Sequence, residues 1–412
     1  MSLNSSREKY LSWLLVIPML VHWALPSGAE NRMYFYVGLG FFFIPNICYL
    51  IYLINYKQTF LVPRKMLGLK RSIVGVSVLL FIYSALQLVV TADNIDVDVF
   101  TKTLFNNFGY IYLPFLFLCY PLDRQQLDSS KWLMFGALTF ISFQVILYGA
   151  GIAVVGPDVT SELNDYAGIY RVHTTAGAST GSALIVLLLG ILLNSFYTLP
   201  KKYKIAALIL ATISVFLSVS RGSILTWCIY LAVLFYNDYY KGASLGRKIL
   251  LVFFCLAVFY LLDHFHVFDP IIYRNQFKDS TNMMSGREDF NNEVLNIVRN
   301  SSYMGVGSGQ IFPDKSLMDK IPISHYVGVH NVYLLYLGEL GIVGIILLAW
   351  QYLCIFKRMC FNNTMVLMLP IILLVNYNTE AVFIWSEFIP LMLIYFMACI
   401  HESQKHSQVE IK

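Results

Sequence analysis

Arg221, Arg287 and His330 are the residues whose type and setting best fit them for chemistry. Arg221 stands in "LSVSRGSILTW", with apolar residues on both sides. A guanidinium in such surroundings is costly unless it lies at the membrane interface or pairs with something, and an ionisable residue there is a functional hypothesis by default. Two readings stay open: snorkelling toward headgroups at a helix end, or bidentate grip of a phosphate. Arg287 opens the stretch "REDFNNEVLNIVRN". Free backbone N–H groups and the helix dipole already favour an anion at such a start; the alternative is an exposed arginine on a solvated loop. Arg171, in "YRVHTTAG", is a third candidate cation, and His173 beside it reads as a polar loop residue. His330 and Asn331 open "HNVYLLYLGELGIVG". A histidine at the water–lipid boundary can be neutral at physiological pH and accept a proton. As general base on a sugar hydroxyl it would be worth roughly 10²–10⁴ in rate. The alternative is interfacial anchoring, with Asn331 as a helix cap.

The elements that must hold these residues are membrane helices. The chain has 412 residues, 58% hydrophobic and 16% aromatic, with 13% charged. That charged share is about half of what soluble domains carry. A spanning helix needs roughly 20 apolar residues. Twelve stretches meet or approach this: 10–25, 34–54, 72–91, 103–121, 132–155, 176–196, 205–220, 222–237, 248–263, 330–355, 364–376 and 383–400. The seventh and eighth are short and meet at Ser220, Arg221 and Gly222. With the N-terminus inside, 19 Lys and Arg fall on the cytoplasmic side, four in short outer loops (Arg32, Lys102, Arg171, Arg221) and six in one long outer loop. The positive-inside rule supports that orientation, with both termini cytoplasmic. The first span, after Arg7 and Lys9, reads as a signal-anchor because further spans follow it. The expected fold is therefore all-α: a single polytopic integral membrane domain over 1–412, with about 12 transmembrane helices and one long structured periplasmic loop.

That loop runs from about His264 to Val329, some 66 residues, and a shorter outer segment runs from about Gly156 to Thr175. Long ordered loops are usually functional, so the chemistry is expected at the outer face, where no nucleotide supplies energy. Within the long loop, Ser285 and Glu288 have capping-box spacing. Phe290, Val294, Ile297 and Val298 then recur at helical spacing, which predicts an amphipathic helix from about Arg287 to Arg299, suited to a membrane surface. "GVGSG" at 305–309 follows as a flexible turn. In the tenth span, Gly338, Gly341 and Gly344 would let another helix approach closely. Glu339, roughly 13–14 Å below His330 and on the other side of the helix, is too far away to be its catalytic partner and is expected to satisfy or orient a neighbouring helix.

Other features exclude more than they suggest. The seven cysteines all lie in or beside spans, with no metal-ligand spacing and no disulfide framework. The acidic cluster "DNIDVD" at Asp93–Asp98 offers Asp96 and Asp98 as a carboxylate pair but no third ligand, and reads as a solvated loop. No P-loop, zinc-protease motif or nucleophile elbow is present. The net charge of +5 mostly reflects the inside-loop bias and points to no nucleic acid.

"SRGSIL" after one span, a long outer loop with "GREDF…GVGSG", and then "HNVYLLYLGELGIVG" together resemble the O-antigen ligase and O-antigen polymerase superfamily, best from about Arg171 to Leu353. The resemblance implies a C-type glycosyltransferase-like enzyme of the bacterial inner membrane with a periplasmic active site. Its donor would be a glycan on undecaprenyl pyrophosphate. Its acceptor would be a hydroxyl of lipid A-core or of a second lipid-linked glycan. Neither a metal nor a cofactor is implied. The family's two functional arginines would fall on Arg221 and Arg287, and its histidine on His330. A ligase is the leading expectation, a polymerase the alternative, and a transporter of lipid-linked sugars a further class. Transporters tend to show repeated halves and helices broken near the midplane; no repeat is visible in this sequence.

Overall fold

The computed structural model describes residues 64–91, 124–149, 178–193, 199–218, 220–236, 240–264, 287–307, 331–359, 364–379 and 389–409, with Trp13, Ile17, Ile47 and Ile51 singly. Among these the secondary structure is helical, with no strand. In chain order the helices are α1 (Arg64–Thr91), α2 (Arg124–Ser129), α3 (Lys131–Gly149), α4 (Ala178–Leu193), α5 (Lys201–Leu217) and α6 (Arg221–Phe235). They continue with α7 (Leu245–His264), α8 (Arg287–Asn300), α9 (Val332–Phe356), α10 (Thr364–Thr379) and α11 (Ile389–Val409).

The core is built around α4. Its residues Ile185 to Leu192 are buried, and it packs against α3, α5, α6, α10 and α11. A helix this apolar on every side is stable only when other helices surround it. Gly190 admits Tyr395 of α11: a Cβ there would stand 3.3 Å from the Tyr395 hydroxyl oxygen. The outer faces carry large apolar side chains in the open, among them Leu79 and Ile82 of α1, Phe140 and Phe143 of α3, Leu250 and Phe253 of α7, and Ile346 and Trp350 of α9. Apolar surface spread over so many helices suits acyl chains and not water. By length and composition, α9 is long and apolar enough to cross a membrane, and shorter apolar helices lie within α1, α3, α6, α10 and α11.

α1 and α9 pack side by side. Gln351 Nε2 donates to Ser77 Oγ at 2.8 Å between them. Nearer the end of α1, Gln87 and Tyr83 reach the chain that docks on α9 at Gly341. The two contacts move in opposite directions along the two helices, so the pair is antiparallel.

The predicted spans with described residues each contain a helix. The break expected around Ser220–Gly222 is real: α5 ends at Leu217 and α6 begins at Arg221. The spans at 10–25, 34–54 and 103–121 lie outside the described residues, except that Trp13, Ile17, Ile47 and Ile51 are helical. Trp13 Nε1 donates to the Ser129 carbonyl at 3.2 Å, docking this part of the chain on the end of α2. Hydropathy did not reveal α2, because five of its six residues are polar and only Leu127 is apolar. It also placed the end of the last helix near residue 400, whereas α11 continues through a polar tail to Val409.

Candidate functional site

Arg221 and Arg287 are each the first residue of a helix, α6 and α8 respectively. A helix start carries about half a positive charge from its unpaired N–H groups. A guanidinium added there is unfavourable for the isolated helix and favourable only when an anion joins it. The placement therefore raises the anion-binding potential at two points of the chain.

The turn before Arg221 is lined with hydroxyls. Ser218, Ser220, Ser223 and Thr226 are buried, and so is Gly222. Ser218 Oγ donates to the Val215 carbonyl at 2.7 Å, Ser220 Oγ to Ser223 Oγ at 3.2 Å, and Thr226 Oγ1 to the Gly222 carbonyl at 2.8 Å. The first of these bonds meets a carbonyl in the last turn of α5, and the other two partner hydroxyls at the start of α6. The backbone at Arg221 consequently runs inside the helix packing, with buried residues on both sides.

α8 occupies Arg287–Asn300 and packs against α9, with Val294 and Val298 buried. Its polar residues Asn292 and Asn296 are exposed. A helix of period 3.6 with one apolar stripe folds stably when a neighbour covers that stripe, and here the neighbour is α9.

Asn331 caps α9. Its backbone is extended (φ −100°, ψ 110°) and its side chain accepts a hydrogen bond from the Leu334 N–H at 3.1 Å. His330 is the residue before this cap and lies outside the described residues, as do Arg171, His173 and the Asp93–Asp98 cluster.

The long loop returns to α9 in a way hydropathy did not suggest. α9 is interrupted at Gly341, whose backbone (φ 65°, ψ −166°) falls in a region open essentially to glycine alone. In an unbroken helix the Ile342 N–H would bond to the Gly338 carbonyl, and the Glu339 carbonyl would receive the N–H four residues on. Instead the segment after α8 takes these positions. Val306 N–H donates to the Gly338 carbonyl at 2.9 Å, Gly307 N–H to the Glu339 carbonyl at 2.8 Å, and Ile342 N–H to the Tyr303 carbonyl at 3.0 Å. Two side chains of α1 fasten the segment from outside: Tyr83 Oη donates to the Met304 carbonyl at 3.0 Å, and Gln87 Nε2 donates to the same oxygen.

A close approach is found at Gly341, but the approaching element is the loop backbone and not another helix, and a Cβ on Gly344 would meet Leu340 of α9 itself. "GVG" at 305–307 is a built joint and not a flexible turn. Glu339 is 2% exposed and sits at this joint. The sequence reading missed Tyr83 and Gln87 because they lie in a span recognised by hydropathy alone. The available signal was the pairing of two glycine-spaced motifs, "GVG" and "GELG", in the loop and in the span beyond it.

Residues 206–349 match the O-antigen ligase family model, a stretch from within α5 to the second half of α9. No curated protein matches the chain. The family match encloses Arg221, Arg287, His330, Asn331 and the joint, and leaves Arg171 outside. It supports the resemblance to the O-antigen ligase superfamily that the sequence motifs suggested.

Proposed function

Because residues 206–349 match an O-antigen ligase domain, we propose that this protein is an O-antigen ligase of the bacterial inner membrane. It transfers a glycan from undecaprenyl pyrophosphate to a hydroxyl of lipid A-core at the periplasmic face. In this reading the chain crosses the membrane about 12 times, with both termini in the cytoplasm. The observation that carries the reading is the position of Arg221 and Arg287 at helix starts, inside the matched stretch that also contains His330.

The chemistry follows from the leaving group. Arg221 and Arg287, assisted by Arg171, hold the donor's pyrophosphate. His330 removes the proton of the acceptor hydroxyl. The acceptor oxygen attacks the anomeric carbon as its bond to the pyrophosphate oxygen breaks, and the electron pair leaves with undecaprenyl pyrophosphate. Displacement from the opposite face inverts the anomeric centre. Charge grows on the leaving pyrophosphate during this step, so fixed cations aimed at it supply most of the stabilisation. No nucleotide sugar and no metal take part. α8 covers the site from the outside.

The break in α9 is also a feature that transporters use to expose backbone groups to a substrate or ion. Here the carbonyls of Gly338 and Glu339 and the N–H of Ile342 are bonded to the chain's own loop. The break is thus filled by protein, which favours the enzyme reading.

A lipopolysaccharide gel from a bacterial strain lacking this protein tests the proposal. Core without O-chain, with polymer retained on the lipid carrier, is the expected result. Core bearing a single repeat unit makes the protein a polymerase, and an unchanged ladder rejects both.

A further inference from the structure

Gly341 divides α9 into two half-helices, Val332–Leu340 and Ile342–Phe356. The outer half begins at the Asn331 cap. At its inner end, two of its terminal carbonyls are bonded to Val306 and Gly307. Its tilt and rotation are therefore set by the loop segment as well as by the helix below it.

The same segment terminates α8. Tyr303 N–H bonds to the Val298 carbonyl at 2.9 Å, and Gly305 N–H to Ser301 Oγ at 3.2 Å. Ser302 and Tyr303 adopt left-handed φ values of 52° and 64°. Non-glycine residues in that region persist where surrounding bonds over-determine them, and here they turn the chain from α8 into the joint within a few residues. α8 and the outer half of α9 are thus fastened to one short piece of backbone, and α1 holds that piece through two donors on the Met304 carbonyl.

We propose that this joint, Met304–Gly307 on Gly338–Ile342 with Tyr83 and Gln87 as its clamps, is the positioning element of the transfer site. The proposal rests on the function proposed above. Arg287 heads α8, and His330 precedes the outer half of α9. Without a fixed point between them, a loop of some 66 residues would let the cation and the base move independently. With the joint in place, the angle between the two helices is set by main-chain bonds inside the membrane. A displacement of about 1 Å of a catalytic group can cost on the order of 10²-fold in rate. Tyr83, Gln87, Gly305 and Gly341 act through this geometry and touch neither donor nor acceptor.

The test pairs a structural readout with a kinetic one. The Tyr83→Phe, Gln87→Leu double variant removes both clamps and leaves the glycines in place. Gln351→Leu is the control, since it removes a buried hydrogen bond between the same helices, α1 and α9, away from the joint. Spin labels at Asn296→Cys on α8, an exposed position, and at Leu334→Cys on the outer half of α9, a half-buried one, report the distance between the two elements by pulsed electron resonance, with the native cysteines replaced. The expected result is a narrow distribution in the parent and the control and a broad one in the double variant. For transfer from lipid-linked donor, kcat is expected to fall about 10-fold or more in the double variant, with donor KM within about 2-fold, and to stay within about 2-fold in the control. A distribution that stays narrow in the double variant overturns the proposal, as does an equal loss of kcat in the control. A parent protein without transfer activity overturns the functional reading instead, and the distance measurement keeps the two failures distinct.

Discussion

Gly305 and Gly341 lie against each other so closely that neither position has room for a side chain. A Cβ on Gly305 would stand 2.5 Å from both the Glu339 carbonyl oxygen and the Gly341 nitrogen. A Cβ on Gly341 would stand 2.3 Å from the Met304 carbonyl carbon. The obstructing atoms are backbone on both sides and cannot rotate away. Both residues also have positive φ, 81° and 65°. The contact therefore depends on glycine twice over, for space and for conformation.

Gly305→Ala and Gly341→Ala are accordingly expected to open the joint. That exposes three main-chain hydrogen-bonding sites within the helix packing, where each unsatisfied group costs several kcal/mol. Thermal unfolding in detergent should show a large loss of stability or no folded yield in either variant. Gly136→Ala in α3 is the comparison: nothing lies within 4 Å of its added Cβ, and alanine is the better helix former by about 1 kcal/mol. That variant should be as stable as the parent or more so.

Asn331→Ala should remove the cap on the Leu334 N–H and cost about 1 kcal/mol, while Asn331→Asp or Asn331→Ser should stay within a few tenths. Thermal shift on the purified protein measures this. Because His330 directly precedes the cap, the transfer rate should follow the same order, with the alanine variant slowest.

Arg221→Lys and Arg287→Lys keep the charge but lose the bidentate fork. Each is expected to weaken binding of undecaprenyl pyrophosphate by roughly 10-fold, and the double alanine variant should abolish it. Microscale thermophoresis on detergent-solubilised protein reads this out. Donor binding that survives both alanine substitutions would remove the pyrophosphate clamp from the mechanism.

The helices and the joint differ in how far the sequence reveals them, for a physical reason. Spans such as 132–155 and 330–355 announce themselves by composition, because a bilayer selects apolar side chains along their whole length. The helix starting at Arg287 is legible from the spacing of Val294 and Val298. The break before Arg221 is legible from the shortness of the two apolar stretches, 205–220 and 222–237, that meet there. The interruption at Gly341 is different. The groups it frees are satisfied by backbone atoms of residues 303–307, far away in the chain, so apart from Glu339 no polar side chain marks it and hydropathy runs through. Only glycine spacing remains, and that pattern serves close helix packing equally well. Tyr83 and Gln87 illustrate the same limit. One hydroxyl and one amide in an apolar helix gain their meaning from the Met304 carbonyl they reach.

The most direct measurement places the purified protein in lipid vesicles with a glycan on undecaprenyl pyrophosphate and lipid A-core as acceptor, without nucleotide sugar and with a metal chelator present. The parent protein should form glycosylated lipid A-core, and His330→Ala should be slower by roughly 10²–10⁴-fold. Failure of the parent to transfer, or full activity in His330→Ala, would contradict the account.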